Sequence, residues 1–168
     1  MNLVRCGVSA VAAMLVASGP PAVAQSGYAY DAAEGGLVDD QTGLVWAAGP
    51  PLGYLVNTCG VVSYGFATGT MPGMLIAAPE GGGHADWRAP TQAELQDAAA
   101  KGLDAAGAAV AEADGTYFYY ANADHWAAGT KKGTKAKSVN VRTGLVTTRT
   151  ADRSYLPPML VRGAPPSN

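Results

Sequence analysis

The densest group of charged side chains in this 168-residue chain is a basic segment in its last third. Lys131, Lys132, Lys135 and Lys137 place four ammonium groups within seven residues, and Arg142 follows five residues later. Clustered lysines separated by Gly and Thr adapt to sulfate, carboxylate or phosphate groups spaced along a polymer. The pattern predicts an anion-binding surface, and the alternative is a solvated loop that maintains solubility or neutralises an acidic face.

An aromatic run precedes the basic segment. Residues 117–120 read Tyr-Phe-Tyr-Tyr, and Trp126 follows shortly after them. Successive side chains of a strand point to opposite faces, so half of the run is expected in the core and half is free to stack on sugar rings or cover a partner. We expect the ligand-facing element to be the loop from Trp126 to Lys137. The candidate ligand-binding residues are Lys131, Lys132, Lys135, Lys137, Trp126 and Arg142.

Two His–Asp groups are the other candidates for chemistry. His84 lies two residues before Asp86, and Asp124 directly precedes His125. These residue types suit a metal site or an acid–base pair, but their spacing matches no ligand motif. The chain also has no Gly-x-Ser-x-Gly elbow, no His-Glu-x-x-His helix and no phosphate-binding glycine loop. We therefore expect no enzyme activity, no metal and no cofactor, and a hydrolase that uses either histidine is the least favoured alternative.

The first 24 residues have the layout of a secretory signal peptide. One positive charge precedes an apolar run that is shorter than the roughly 20 residues a membrane span needs, and Ala22-Val23-Ala24 supplies small residues before a cleavage point. We expect residues 25–168 to form one exported domain, periplasmic or extracellular, with no membrane span. Cleavage removes Cys6, which leaves Cys59 as the single thiol and excludes an internal disulfide.

Charge is divided unevenly along the expected mature chain. Residues 25–130 carry two bases and twelve acids, whereas residues 131–168 carry eight bases and one acid. The overall acidity, the expected export and the lack of a recognition motif exclude nucleic acid as a favoured partner. The expected partner is an anionic polysaccharide or a surface protein, and the sequence leaves the oligomeric state open.

Turn and capping patterns predict the elements that position these residues. Residues 37–38 and 44–46 are apolar and flank a five-residue turn that ends in Gly, which predicts a β-hairpin. Thr91 and Glu94 have the spacing of a capping box, which predicts a helix as far as Lys101. Further strands are expected at 116–120, 138–142, 145–148 and 159–162, and a second helical piece at 105–113. These patterns predict an α+β domain, although residues 54–78 favour neither helix nor strand.

Three segments, in this order, resemble one bacterial domain family. Residues 40–46 resemble its N-terminal element around Thr-Gly-Leu-x-Trp, and residues 86–95, Asp-Trp-Arg-Ala-Pro-Thr-Gln-Ala-Glu-Leu, are similar to its D-W-R-L-P-T-x-x-E-L signature. The third segment is a strand that ends in Val-Arg-Gly at residues 161–163. The family is the C-terminal domain of the Legionella collagen-like adhesin, the Lcl C-terminal family. The resemblance extends over about residues 37–163.

The resemblance implies a C-type-lectin-like fold, mostly antiparallel sheet with one or two helices and long loops, in which the terminal strands pair. It also implies export and a role in adhesion, including the binding of sulfated polysaccharide. The resulting prediction is an exported, non-enzymatic binding module. The alternative is a structural periplasmic or appendage component that binds only protein partners.

The chain departs from the family pattern in several places. Ala89 stands where the family prefers Leu, and residues 119–122 replace the family's Tyr-Trp-Ser-Ser segment. The sequence contains no collagen-like Gly repeat, so trimerisation through such a stalk is not implied. It also lacks the Glu-Pro-Asn and Trp-Asn-Asp tripeptides of calcium-dependent lectins, and we therefore predict no calcium site.

Overall fold

The computed structural model describes residues 27–48, 84, 86–114, 123–154 and 156–163. The expected leader, both cysteines, residues 54–78 and the aromatic run at 117–120 lie outside the described residues. In chain order the elements are β1 Tyr28–Asp31, β2 Gly36–Asp39, β3 Val45–Ala47, α1 Gln92–Ala100, α2 Leu103–Asp114, β4 Asp124–Trp126, β5 Lys135–Asn140, β6 Val146–Thr150 and β7 Val161–Arg162. The strands form two antiparallel sheets, ordered β1-β2-β3-β7 and β4-β5-β6. The predicted α+β class is confirmed.

The first sheet is built on the predicted hairpin. Strands β2 and β3 pair with Leu37 opposite Trp46, and Gly43 supplies the left-handed turn conformation at φ 69°. The Gly43 amide donates to the carbonyl of Asp39 at 2.8 Å and closes the turn. Strand β7 then pairs with β3, with Val161 opposite Trp46. The early hairpin therefore pairs with the last strand, as expected.

Strands β2 and β3 approach so closely that one position requires glycine. A Cβ atom on Gly36 would lie 2.0 Å from the carbonyl oxygen of Trp46. That oxygen belongs to the backbone of a paired strand, so it cannot move aside without disturbing the ladder. Gly36 is therefore fixed by space and not by an unusual backbone angle.

Helix α1 begins at the predicted capping box. The Thr91 hydroxyl accepts a hydrogen bond from the Glu94 amide at 3.2 Å, and the Glu94 carboxylate accepts one from the Thr91 amide at 2.7 Å. The helix ends at the C-cap Lys101, and Gly102 follows at φ 80°. The alanine-rich segment that follows forms α2, as its composition favours.

Both helices and both sheets contribute to one apolar core. Its large, fully buried members include Leu37 and Trp46 of the first sheet, Leu95 and Leu103 of the helices, and Val139 of the second sheet. The helices therefore join the two sheets into a single packed unit. No helix within the described ranges is long and apolar enough to cross a membrane.

The central strand of the second sheet, β5, begins three residues earlier in the sequence than predicted. Strand β5 starts at Lys135, not at Ser138, and it ends at Asn140. Its first four residues alternate between exposed and buried positions: Lys135 and Lys137 face solvent, whereas Ala136 and Ser138 are buried. This alternation is the pattern of a half-buried strand, with small residues on the inner face.

Candidate functional site

The predicted loop from Trp126 to Lys137 is wrong at both ends, because these ends lie on two paired strands. The strands and their connection, residues 124–140, form a β-hairpin, called the basic hairpin from here on. Trp126 ends β4, and Lys135 and Lys137 lie on β5. The two strands pair with Trp126 opposite Ser138. Because the ladder fixes the backbone, the strand lysines hold defined positions and do not belong to a flexible chain.

The prediction that Trp126 faces a ligand is also wrong. Only 2% of this residue is exposed, and Ala127 beside it is fully buried. An indole buried to this extent offers no face on which a sugar ring can stack. A core tryptophan and a ligand-stacking tryptophan both occur next to polar turns, so the residue pattern around Trp126 does not distinguish them.

The start of helix α1 positions the hairpin. The Ala128 amide donates to the carbonyl of Pro90 at 2.8 Å, and Thr91 and Ala128 form an isolated parallel bridge. A hydrogen bond between side chains adds to these backbone contacts: Lys137 Nζ donates to Gln92 Oε1 at 3.1 Å. The segment at 86–95, the signature segment from here on, therefore forms the support of the basic hairpin.

Within the signature segment the side chains make structural contacts. Arg88 donates two hydrogen bonds to the buried carboxylate of Glu94, at 2.9 and 2.6 Å. Burial raises the pKa of that carboxyl, but Arg88 and Thr91 outweigh burial and hold the pKa below its ordinary value. Trp87 is buried, with the Arg162 guanidinium 5.7 Å from its ring centre. The segment is therefore a structural element of the fold.

Three cations around the hairpin each lie against an acid of the same chain. The pairs are Lys131 with Asp152 at 3.4 Å, Arg142 with Asp104 at 3.9 Å, and Arg149 with Asp124. In every pair the partner is more than 20 residues away in sequence, which hides the pairing from local pattern analysis. This part of the positive charge serves neutralisation within the protein, in line with the alternative given above for the basic segment.

Three other lysines line a single pocket. Lys132, Lys135 and Lys137, the pocket lysines from here on, surround a volume of about 420 Å³ together with Thr130 and Thr148. Lys132 and Lys135 exchange both backbone hydrogen bonds, at 2.7 and 3.1 Å, so their Cα atoms lie about 5.5 Å apart. Lys137 lies two residues further on the same face of β5, about 6.7 Å along the strand.

Neutral oxygen atoms, and not carboxylates, contact two of the pocket lysines. Lys135 Nζ lies 3.1 Å from Thr150 Oγ1, and Lys137 Nζ lies 3.1 Å from Gln92 Oε1. Within the described residues, no carboxylate oxygen comes within 4.0 Å of the amino group of Lys132, Lys135 or Lys137. The described part of the chain therefore leaves three positive charges of this pocket unneutralised.

The two His–Asp groups do not converge on a metal site. No cluster of three or more His, Cys, Asp or Glu suited to a metal occurs in the part of the chain that the structure describes. His84 Nε2 lies 3.4 Å from Glu34, whereas His125 is fully buried and its Nδ1 donates to the carbonyl of Pro157 at 2.9 Å. Burial lowers the pKa of His125 to about 4, so its imidazole is neutral at physiological pH.

Comparison with known proteins adds no relative to this picture. No protein-family model matches the chain, and no curated protein matches it. The function of this chain is therefore inferred from the pocket geometry and from the resemblance of residues 40–46 and 86–95 to the Lcl C-terminal family.

Three residues at the pocket carry no signal that the lysine pattern alone reveals. Thr130 and Thr148 line the pocket, and Gln92 holds one of its lysines. Thr148 lies opposite Lys137 in the β5–β6 ladder, so a correct register of that hairpin would have revealed it. Gln92 lies 45 residues from its partner and gives no local signal.

A second cavity lies between β1 and α2, and unlike the lysine-lined pocket it has no charged residue among the described residues of its lining. It holds about 390 Å³. The lining residues are Tyr28, Tyr30, Leu37, Ala106, Ala109, Val110 and Ala113. An apolar lining of this kind does not suit an anion, so the lysine-lined pocket is the candidate binding site.

Proposed function

We propose that the mature chain is an exported, non-enzymatic binding module that attaches to anionic polysaccharide through its basic hairpin. The observation that carries the proposal is the pocket of about 420 Å³, in which no described carboxylate neutralises Lys132, Lys135 or Lys137. Positive charge that remains unpaired in a concave site attracts anions, because the low-dielectric walls concentrate the field.

Sulfate and carboxylate groups on sugars match this site chemically. An ammonium group is a compact, hydrated point charge with three rotatable donors, so it accommodates an anion without a fixed approach direction. One such pair at 4 Å contributes about 1 kcal/mol in bulk water and several times more near a protein surface. Three lysines in one pocket therefore supply useful affinity without any catalytic group.

The family resemblance supports the biological setting of this proposal. Residues 40–46 and 86–95 resemble the Lcl C-terminal family, for which adhesion and export are expected. The pairing of β3 with β7 agrees with the paired terminal strands of a C-type-lectin-like domain. These features, together with the signal-peptide pattern of residues 1–24, support a role in surface attachment.

Chromatography on an immobilised sulfated polysaccharide at increasing salt tests the proposal. We expect retention that weakens steeply with salt, because exposed charges are screened within about 10 Å at 0.1 M. A triple variant, Lys132→Ala with Lys135→Ala and Lys137→Ala, is expected to lose retention. Thermal melts of both proteins establish that the variant is folded.

A control with the same change in net charge separates the pocket from general electrostatics. Lys131→Ala, Arg142→Ala and Arg153→Ala together also remove three positive charges, all from residues that do not line the pocket. We expect this variant to retain most of the binding. Equal losses in the two triple variants would overturn the assignment to the pocket. If the wild-type chain is not retained on the column and instead co-purifies with another protein, the result would favour the alternative of a structural component that binds only protein partners.

A further inference from the structure

Within the described residues, the unneutralised charge of the basic hairpin is concentrated at the pocket, and its cationic neighbours on the sheet do not continue it. Lys131, Arg142 and Arg149 would extend it into a stripe, but each lies against a carboxylate. Arg153 is exposed on the turn after β6 and does not line the pocket. A polymer that lies along this face therefore meets most of its unneutralised positive charge at the pocket.

The pocket lysines extend from neighbouring backbone positions, and a lysine side chain is long and flexible enough to turn toward a shared acidic group. Lys132 faces Lys135 across a hydrogen-bonded bridge, and Lys137 lies two residues further on the same face of β5. Three like charges at such separations repel one another, and the repulsion is relieved most by a ligand that concentrates its own charge. A singly charged sulfate or carboxylate leaves two of the three ammonium groups without a counter-charge.

The hydroxyl groups of the pocket have different roles. Thr130 Oγ1 donates to the carbonyl of Ala127 at 2.7 Å and accepts from the Lys137 amide at 3.0 Å, so it holds the two strands in place. Thr148 lies opposite Lys137 on β6 and is exposed, which leaves its hydroxyl accessible to a ligand. A volume of about 420 Å³ suits a single sugar with its acid group better than several sugars in sequence.

We propose that the pocket takes one sugar end-on, and that this sugar carries at least two negative charges close together. The shared chemistry is a compact dianion, which either a phosphomonoester or a pair of neighbouring sulfates provides. This inference rests on the proposed function, because it concerns the same pocket and specifies the ligand that fills it.

Calorimetric titration with defined probes tests the charge requirement. The probes are glucose 6-phosphate, a disaccharide with two sulfates on one sugar, and the same disaccharide with one sulfate. We expect both dianionic probes to bind at least about tenfold more tightly than the monosulfated one. The reason is that each additional charge-assisted contact lowers the dissociation constant by about a factor of ten. Binding by only one dianionic probe identifies the source and supports the inference. Equal affinity for the monosulfated probe would overturn it.

Chain length tests the end-on mode separately. Sulfated oligosaccharides of two, four and eight sugars with the same terminal unit are expected to bind with dissociation constants within about threefold of one another, because only the end occupies the site. Affinity that rises steadily with length, with no binding of the disaccharide, would overturn the inference and leave the proposed function intact. A failure of every probe and of the long polymer would overturn both.

Two single variants complete the experiment. Lys132→Ala is expected to weaken binding of glucose 6-phosphate about tenfold, whereas Arg153→Ala removes an equal charge outside the pocket and is expected to leave it unchanged. Both positions are exposed, so the fold is expected to tolerate either substitution. If Arg153→Ala weakens binding as much as Lys132→Ala, the ligand does not occupy this pocket.

Discussion

The fully buried His125 makes the stability of this protein depend on pH. Its Nδ1 donates to the carbonyl of Pro157 at 2.9 Å, and burial lowers its pKa from 6.5 to about 4 even though the charges of Asp124 and Asp104 act in the opposite direction. In the unfolded chain the same imidazole takes up a proton near pH 6.5. Between these two values the unfolded state binds the proton and the folded state does not, so lowering the pH favours unfolding.

The size of the effect follows from the pKa difference. Each unit of pKa corresponds to about 1.4 kcal/mol. Protonation of His125 in the unfolded chain therefore lowers the free energy of unfolding by about 3 kcal/mol in total, a loss that is reached only near pH 4. Between pH 7 and pH 5 we expect a loss of about 2 kcal/mol in the free energy of unfolding. The measurement stops at pH 5, because carboxylates that are ionised in the folded state protonate at lower pH and add their own losses.

Urea unfolding of residues 25–168 at half-unit steps from pH 7 to pH 5 measures this loss. The informative quantity is the difference between the wild-type protein and His125→Gln, which removes the titrating group and keeps a side-chain donor. We expect that difference to change by about 2 kcal/mol over the range. The control is His84→Gln, which leaves His125 in place and is therefore expected to keep the loss that His125 causes. A difference that stays constant with pH would refute the conclusion that the folded imidazole is buried and neutral.

Three further substitutions test the fold. Gly36→Ala places a methyl group 2.0 Å from the Trp46 carbonyl oxygen and is expected to cost about 3 kcal/mol in urea unfolding; wild-type stability would contradict the close strand approach. Thr91→Ala removes the N-cap acceptor of α1, and thermal melts are expected to show a loss of about 1 kcal/mol. Lys101→Met removes the 2.8 Å partner of the buried Asp39 carboxylate and is expected to cost about 3 to 5 kcal/mol at pH 7. Burial raises the pKa of Asp39 but Lys101 and two backbone amides hold it below its ordinary value, so the deficit of this variant is expected to shrink at pH 4, and a constant deficit would contradict the ion pair.

The capping box and the first hairpin could be predicted because their signals are local. Thr91 and Glu94 are three residues apart and bond to each other directly. The turn before β3 likewise needs only Gly43 in the left-handed conformation and an apolar run on each side. Interactions of this range depend on residue type and spacing, which the sequence displays in full.

The basic site was harder to predict, because its properties depend on distant residues. A run of lysines predicts a solvated loop, yet small residues at 136 and 138 allow Lys135 and Lys137 to form the exposed face of a strand. Which cations remain unpaired is decided by acids far away in sequence, such as Asp152 for Lys131. Local patterns located the charge correctly but did not divide it between neutralisation and the pocket.

Strand β7 is only two residues long, but its backbone is paired on both sides. Val161 exchanges backbone hydrogen bonds with Arg88, both at 2.9 Å, and it also lies opposite Trp46 of β3. For β7 to separate from the sheet, it must therefore break its pairing with β3 and its bridge to Arg88, and it must expose the fully buried Val161 side chain. If the protein anchors a cell or an appendage to a surface, a pulling force on β7 must break the hydrogen bonds on both of its sides together. A strand paired on one side only would instead lose its hydrogen bonds one after another.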